Sequence, residues 1–273
     1  MFMRKIYKNK LGLAGFIVIL AFAMLALAAP WVSTHDPLKA DVMNWKAPPS
    51  MDHFFGTDEY GRDIFSRVIH GTRISMYISF LSVLIATFFG VSIGAISGFY
   101  GGWIDNIIMR FMDAVMSFPA ILLAIGIMAV MGGSIYNVTI ALGFVYIPRF
   151  ARIIRGSALS LRQKEFVEAS LALGSSDFTI IFRHILPNCM APLIVQITLS
   201  LAYAILAETG LSFLGLGAPP PAPSWGNILS DARNLMLDAP WMTVFPGIAI
   251  TMCVLGFNLL GDALRDILDP RLK

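Results

Sequence analysis

The sequence predicts an all-α, polytopic membrane protein with about six transmembrane helices. Of its 273 residues, 57% are hydrophobic and only 14% are charged, which is more apolar side chain than a soluble core of this size buries. Apolar runs of about 20 residues, the length of helix that crosses a bilayer core, recur along the chain. A polar island at residues 165–187 separates the fourth run from the fifth.

Six apolar runs are candidates for these helices, four of them long and two short. The first, Leu11–Val32, is longer than the apolar core of about 7–15 residues in a signal peptide, so we expect an anchor helix. The short runs are Val115–Met131 and Ile135–Ile147, and Pro148 and Arg149 interrupt the second of them. The other long runs are Ile74–Gly98, Cys189–Ala207 and Trp241–Leu260.

A polar, proline-containing segment joins the first two spans and closes with Phe55–Asp63. Gly56 and Gly61, each near acidic residues, favour tight turns, so we expect an ordered turn here, with direct substrate contact as the alternative. We therefore divide the chain into residues 1–73, the anchor helix with its outer segment, and residues 74–273, the membrane core.

The basic residues predict the orientation. An even number of spans puts both termini on one side, and if that side is the cytoplasm most of the 20 Lys and Arg residues lie there, as the positive-inside rule requires. The net charge of +3 is then a topology signal, and we predict no nucleic-acid binding.

The polar island has the pattern of two short helices hinged at a glycine. Gly174 suits the left-handed conformation that ends a helix, Ser175 or Ser176 can cap the next helix, and Pro187 is expected to stop it. We interpret the island as an elbow that presents the cytoplasmic face of the protein to a partner.

Three further features of the sequence predict a helix contact, an amphipathic helix and a buried or functional carboxylate. Gly90, Gly94 and Gly98 lie on one helix face and favour close approach of another helix. An amphipathic helix is expected at Trp103–Asp113, with Arg110 and Asp113 paired across one turn. Near the end of the fifth span, Glu208 either meets a cationic group in a substrate pathway or is a satisfied interfacial carboxylate.

The sequence lacks the residues needed for ATP hydrolysis, for metal binding and for self-powered transport. No lysine precedes Ser or Thr, so the phosphate-binding loop is absent and we do not expect the chain to hydrolyse ATP. The four histidines fall outside the expected spans, and the two cysteines suggest neither a disulfide nor a metal site. We therefore predict no catalytic residue, no cofactor and no metal. The spans also lack the buried acids of a self-powered carrier. We therefore expect the energy source to lie on another chain.

The elbow resembles the signature of the inner-membrane permease subunits of bacterial and archaeal ABC importers: Glu-Ala-Ala, three residues, Gly, nine residues, Ile-x-Leu-Pro. Ser170 replaces the second alanine and His184 replaces the isoleucine, and we expect both on the exposed part of the loop. The matching positions are Glu168, Ala169, Gly174, Leu186 and Pro187.

Other motifs are similar to the dipeptide, oligopeptide and nickel branch of these permeases, and their order looks like the second of its two permease subunits. They are Gly56-Thr57-Asp58 with Gly61-Arg62-Asp63, Met109-Arg110 with Asp113 and Ser117-Phe118-Pro119, Gly210–Gly217, Pro223–Gly226, and Asn258–Asp262 with Asp269-Pro270.

The resemblance implies a multi-pass subunit of the cell inner membrane. It implies a heterodimer with a sister permease, two cytoplasmic ATPase subunits and an extracytoplasmic substrate-binding protein. Residues 168–187 would be the coupling helix, seated in a groove of an ATPase subunit. Di- or oligopeptides are the expected substrates, and nickel or its chelates are the alternative. A self-powered carrier and an intramembrane enzyme would need groups that the sequence lacks.

Overall fold

The structure, a computed structural model, describes residues 9–268. The basic residues Arg4, Lys5 and Lys8 and the motif residues Asp269 and Pro270 lie outside that range. In chain order the described helices are α1 (Lys10–Val32), a 3₁₀ turn (Val42–Asn44), α2 (Ile64–Tyr100), α3 (Gly102–Met116), α4 (Ala120–Met131), α5 (Ile135–Arg162), α6 (Glu165–Ala172), α7 (Asp177–Thr179), a π turn (Ile180–Ile185), α8 (Leu186–Asn188), α9 (Met190–Phe213), α10 (Trp225–Ala232) and α11 (Trp241–Leu268).

Five of the described helices, α1, α2, α5, α9 and α11, are long and apolar enough to cross a membrane. The pair α3–α4 is bent by 87° and gives a sixth crossing if the two helices form one broken span. The expected span Val115–Met131 therefore begins too early, because α3 ends at Met116 and α4 begins only at Ala120. Pro119 stands at the N-cap of α4 with φ −56° and ψ 128°, and this extended backbone separates the two helices. The amphipathic helix expected at Trp103–Asp113 is confirmed as α3.

Two helices extend well beyond their predicted ends. Helix α2 begins ahead of the predicted Ile74 because the carboxylate of Asp63 accepts the backbone N–H of Ser66 at 2.8 Å and caps it there. Helix α5 does not end at Pro148, which lies inside it, and continues to Arg162. A proline removes one helical hydrogen bond, and the tight packing of α5 on α2 keeps the helix continuous.

The glycine face of α2 produces this packing. A Cβ at Gly90 would lie 2.4 Å from the Cβ of Phe150, and one at Gly94 would lie 2.3 Å from the carbonyl oxygen of Ala151. Gly98 stands equally close to α5, at 2.7 Å from the Cβ of Ala158. The expectation of close helix approach is confirmed, and α2 with α5 forms the central pair of the bundle.

Candidate functional site

Helix α6 is the first arm of the elbow, and it ends in a Schellman motif. Gly174 follows the helix with φ +78°. Its N–H donates to the carbonyl of Leu171 at 3.0 Å, and the N–H of Ser175 donates to the carbonyl of Ser170 at 3.1 Å. These two bonds define the motif, so the left-handed glycine predicted at this position is confirmed.

The second arm begins at a serine cap and passes through the π turn. The Ser176 side chain accepts the N–H of Thr179 at 3.3 Å. The prediction that Pro187 stops this arm is wrong, because the helical run continues through α8. Pro187 lies in the first turn of α8, where a missing N–H is tolerated. Just before it, the N–H of Leu186 donates to the carbonyl of Ile181, five residues back, which widens the helix.

The inner side of the elbow is anchored in the bundle. Val167, Ile180 and Ile185 are fully buried and belong to the main hydrophobic core. The hydroxyl of Tyr100, the last residue of α2, donates to the carboxylate of Asp177 at 3.0 Å. Both arms are therefore attached to the central helices, and displacement of the elbow would be transmitted to them.

The elbow also exposes large apolar side chains, and two of them, Phe178 and Phe182, line an apolar cavity together with Tyr100 of α2. Leu173 is 86% exposed and Phe178 is 68% exposed. The rings of Phe178 and Phe182, one helical turn apart, have centroids 4.3 Å apart. Phe166 and Leu171 are also exposed. Sequence reasoning missed this surface, although two aromatic residues spaced by four within a polar island could have indicated it.

The residues of the permease signature differ in how deeply they are buried. Ser170 is buried, as is Val167 one turn earlier on the same helix face, so the expectation of an exposed Ser170 is wrong. A small side chain there lets α6 lie against the bundle. His184 and Leu186 are partly buried. The exposed signature positions are Glu168, Ala169, Gly174 and Pro187.

Ion pairs hold α3 against α5 near the elbow. Arg155 donates to both carboxylate oxygens of Asp105, each at 2.6 Å, in the bidentate geometry that favours Arg–carboxylate pairs. Asp113 accepts from Arg152 at 2.6 Å, so its partner is a residue of α5 and not the predicted Arg110. Because α5 leads directly into α6, these pairs fix the helix from which the elbow projects.

At the other end of α2 lies the polar cap, which we define as residues 33–63. Helix α2 has 37 residues, or about 55 Å at 1.5 Å per residue, which separates the cap from the elbow. Asp58 accepts the Arg62 Nε at 2.6 Å, and Arg67 lies 3.5 Å from the same carboxylate. Both arginines also reach Asp231 of α10, at 3.1 and 3.3 Å. Burial raises the pKa of Asp231, and the arginines oppose that rise.

The glycine-rich turn of the cap is ordered, as predicted. Gly56 and Gly61 have φ +75° and +71°, and Thr57 forms an antiparallel bridge with Asp63. The indole of Trp241 donates to the carbonyl of Thr57 at 3.1 Å. The turn is therefore fixed to the start of α11.

Glu208 of α9 is fully buried. One carboxylate oxygen accepts the hydroxyl of Ser212 at 2.7 Å, while the other has no hydrogen-bond partner within residues 9–268. No lysine or arginine in that range pairs with it. The side chain is enclosed by the packing of this chain, and its role in a substrate pathway stays a prediction.

Sequence comparison places this geometry among membrane transport subunits. Residues 90–273 match the family described as binding-protein-dependent transport system inner membrane component. Residues 1–49 match the N-terminal transmembrane domain of oligopeptide transport permease C. The chain is 46% identical over 270 residues to the dipeptide transport system permease protein of Alkalihalophilus pseudofirmus, covering 99% of this chain and 89% of the relative.

Two further comparisons extend this likeness. The chain is 42% identical over 273 residues to the glutathione transport system permease protein of Pectobacterium atrosepticum, covering 100% of this chain and 91% of that protein. Its fold is similar to a chain of the methionine ABC transporter MetNI in an inward-facing conformation, with a TM-score of 0.62 at 16% identity. That match covers 74% of this chain and 96% of the other.

Proposed function

Because this chain belongs to the family of binding-protein-dependent inner membrane transport components, as a permease of the peptide and nickel branch, we propose that it forms half of a peptide pathway in an ATP-driven importer. The substrates are di- or oligopeptides, as the names of the dipeptide and glutathione relatives suggest. Nickel is not favoured, because in the described spans imidazole and thiol groups do not cluster into a ligand set.

The partners in this proposal are a sister permease, two ATPase subunits and an extracytoplasmic binding protein. The ATPase subunit docks on the exposed side of the elbow. The observation that carries this assignment is that the elbow exposes Leu173 and Phe178 while its Val167 and Ile180 lie in the core. Exposed apolar clusters rimmed by polar residues mark protein interaction sites.

In this arrangement Glu168, Ala169 and Gly174 contact the ATPase groove directly. His184, Leu186 and Pro187 set the direction of the second arm, and buried Ser170 sets how closely the first arm lies on the bundle. This permease carries no catalytic step itself. Movement of the ATPase subunits displaces the elbow, and the anchored inner side passes that displacement to the central helix pair.

The orientation follows from the same assignment. Both termini and the elbow face the cytoplasm, and the polar cap faces outward, as the distribution of basic residues favours. Residues 1–73 then contribute the anchor helix and the polar cap, and residues 74–273 contribute the permease core with its coupling loop. This orientation requires that the bent pair α3–α4 cross the membrane once.

Two exposed leucines at opposite ends of the molecule test docking and orientation together. Leu173 of the elbow is 86% exposed and Leu237, beside α11 at the cap end, is 99% exposed. Leu173→Cys should be labelled from the cytoplasmic side and should crosslink to an ATPase subunit, whereas Leu237→Cys should be labelled from outside and give no such crosslink. Crosslinking from Leu237→Cys alone would overturn the assignment.

Transport by the reconstituted assembly tests the substrate class. We expect ATP-dependent uptake of labelled dipeptides when the binding protein is present, and no uptake of nickel chelates under the same conditions. Nickel uptake without peptide uptake would show that the proposed substrate class is wrong while leaving the docking assignment intact.

A further inference from the structure

Two histidines and an aspartate meet in the polar cap. The Nδ1 of His53 lies 2.9 Å from the Oδ1 of Asp63, and the Nδ1 of His35 lies 3.9 Å from the same oxygen. The two imidazole rings have centroids 4.6 Å apart. One ligand atom from each residue lies within 4.8 Å of the other two. Nothing in the sequence spacing predicts this cluster, because the three residues meet only in the folded cap.

We propose that His35, His53 and Asp63 bind a divalent transition-metal ion of the zinc type. Zinc binds histidine nitrogen at about 2.0–2.1 Å and carboxylate oxygen at about 2.0–2.2 Å in tetrahedral sites, which places neighbouring ligand atoms about 3.4 Å apart. The two distances to Asp63 lie on either side of that value, so small side-chain rotations complete three of the four positions.

The carboxylate of Asp63 can offer one oxygen to the ion and keep the other for the helix cap. Its Oδ2 accepts the N–H of Ser66 at 2.8 Å and caps α2. Its Oδ1 has His53 as its near partner, and a metal ion bound to both would replace the proton between them. Asp63 and His53 are buried, while the side chain of His35 is 43% exposed. His35 therefore gives the ion its route into the site.

The surroundings of the cluster favour a cation. The cluster opens into a cavity of about 690 Å³. Four aspartates line this cavity against one lysine, Lys39, and a cleft lined mainly by one sign of charge concentrates ions of the other sign. Imidazole nitrogen with a carboxylate suits zinc and its neighbours better than magnesium, which prefers oxygen ligands alone. The aspartates are Asp36, Asp41, Asp52 and Asp63.

The bound ion would tie three parts of the chain together. His35 lies just after α1, His53 lies in the middle of the cap, and Asp63 is the first residue before α2. One ion bound to all three fixes the cap on the end of α2, and its fourth position faces the cavity. Metal bound only by the folded state stabilises that state, so thermal stability is a second readout.

Zinc binding to the whole importer tests the proposal. The assembly is purified with a histidine-free tag, stripped with a chelator and titrated with Zn²⁺, and bound zinc is counted per assembly. We expect one zinc ion per copy of this chain and a higher melting temperature with zinc. Substituted Co²⁺ should show the visible absorption of a site with nitrogen ligands.

Two variants and one control identify the ligands. His35→Ala removes the exposed ligand, and Asp63→Asn keeps a side-chain oxygen that caps α2 while removing the charge. Each should weaken zinc binding at least about tenfold, since even outer-shell changes cost 10- to 100-fold. His70→Ala, at the same end of the bundle, should change neither stoichiometry nor affinity. Equal zinc binding by wild type, His35→Ala and Asp63→Asn would overturn the proposal and leave the cluster as a hydrogen-bonded helix cap.

Discussion

Gly61 in the polar cap and Gly174 in the elbow have similar positive φ angles in opposite surroundings. Their φ angles are +71° and +78°. A Cβ at Gly61 would lie 1.7 Å from the carbonyl oxygen of Asp41, whereas a Cβ at Gly174 would have no atom of residues 9–268 within 4 Å. Gly61 is thus required by both conformation and packing, and Gly174 by conformation alone. The cap is a closed, packed structure, while the elbow keeps its shape and leaves its outer surface open.

The side chains of the two regions show the same difference. Arg67 and Asp58 of the cap end are each 2% exposed and lie within ion-pair distance of one another. In the elbow, by contrast, Phe178 and Phe182 are exposed and stack on each other beside an apolar cavity. An open apolar surface suits contact with a partner, whereas the cap end pairs its buried arginines with aspartates of the same chain.

The largest effect on stability is expected from Arg67→Met in the cap. This change leaves the buried carboxylate of Asp58 with one arginine fewer, and removing one partner of a buried pair costs about 3–5 kcal/mol. Arg233→Met, at an exposed arginine of the same end, should change the free energy of unfolding by less than about 0.5 kcal/mol. Denaturation of the detergent-solubilised protein measures both. Equal stability of the two variants would show that the cap does not depend on its buried charges.

An intermediate effect is expected from asparagine at the two glycines. Asparagine tolerates positive φ better than other residues with a Cβ, so it isolates the packing difference. Gly61→Asn should lower the free energy of unfolding by about 1–3 kcal/mol, as overpacking does, and Gly174→Asn should leave it near wild type. The comparison fails if both variants lose the same stability.

Local patterns in the sequence predicted the turn of the elbow but not how the helices continue through Pro187 and Pro148. The left-handed Gly174 and the Ser176 cap were predictable because both depend on residues within one or two turns. Passage of the helix through Pro187 was not, because it depends on the π turn and on packing of Ile180 and Ile185 into the bundle. The same limit applies to Pro148, which the packing of α5 on α2 keeps inside a helix.

Long-range pairs account for most of what the sequence could not predict. Arg67 and Asp231 are 164 residues apart, and Asp105 and Arg155 are 50 apart, so nothing in the local pattern predicts their meeting. The pairing of Arg110 with Asp113 was predicted from spacing alone and is wrong because a residue of α5 competes for the carboxylate. The motifs nevertheless identified the family, since they are recognised from residue identity and spacing along the chain.

The smallest effect on stability, with a clear effect on assembly, is expected from Phe182→Gln in the elbow. Its side chain is exposed, and surface changes usually alter the free energy of unfolding by no more than about 0.5 kcal/mol. The ATPase subunit should nevertheless dissociate more readily, because the substitution places an amide in the proposed apolar contact. Co-purification of the subunits measures this loss, and Leu237→Gln, at the cap end, serves as the control that keeps the subunits bound. Undiminished ATPase binding by Phe182→Gln would remove the aromatic pair from the interface.

The most direct test of the account is the peptide-stimulated ATPase activity of importers carrying Gly174→Asn or Gly174→Val. Space at Gly174 is open, so the two variants differ mainly in tolerance of positive φ. A β-branched residue there is strained by about 1–2 kcal/mol, which lowers the population of the elbow geometry about tenfold. We predict that Gly174→Asn keeps stimulated turnover and that Gly174→Val loses most of it while the subunits remain folded in the membrane. Normal assembly with normal stimulated turnover in Gly174→Val would contradict a coupling role for the elbow.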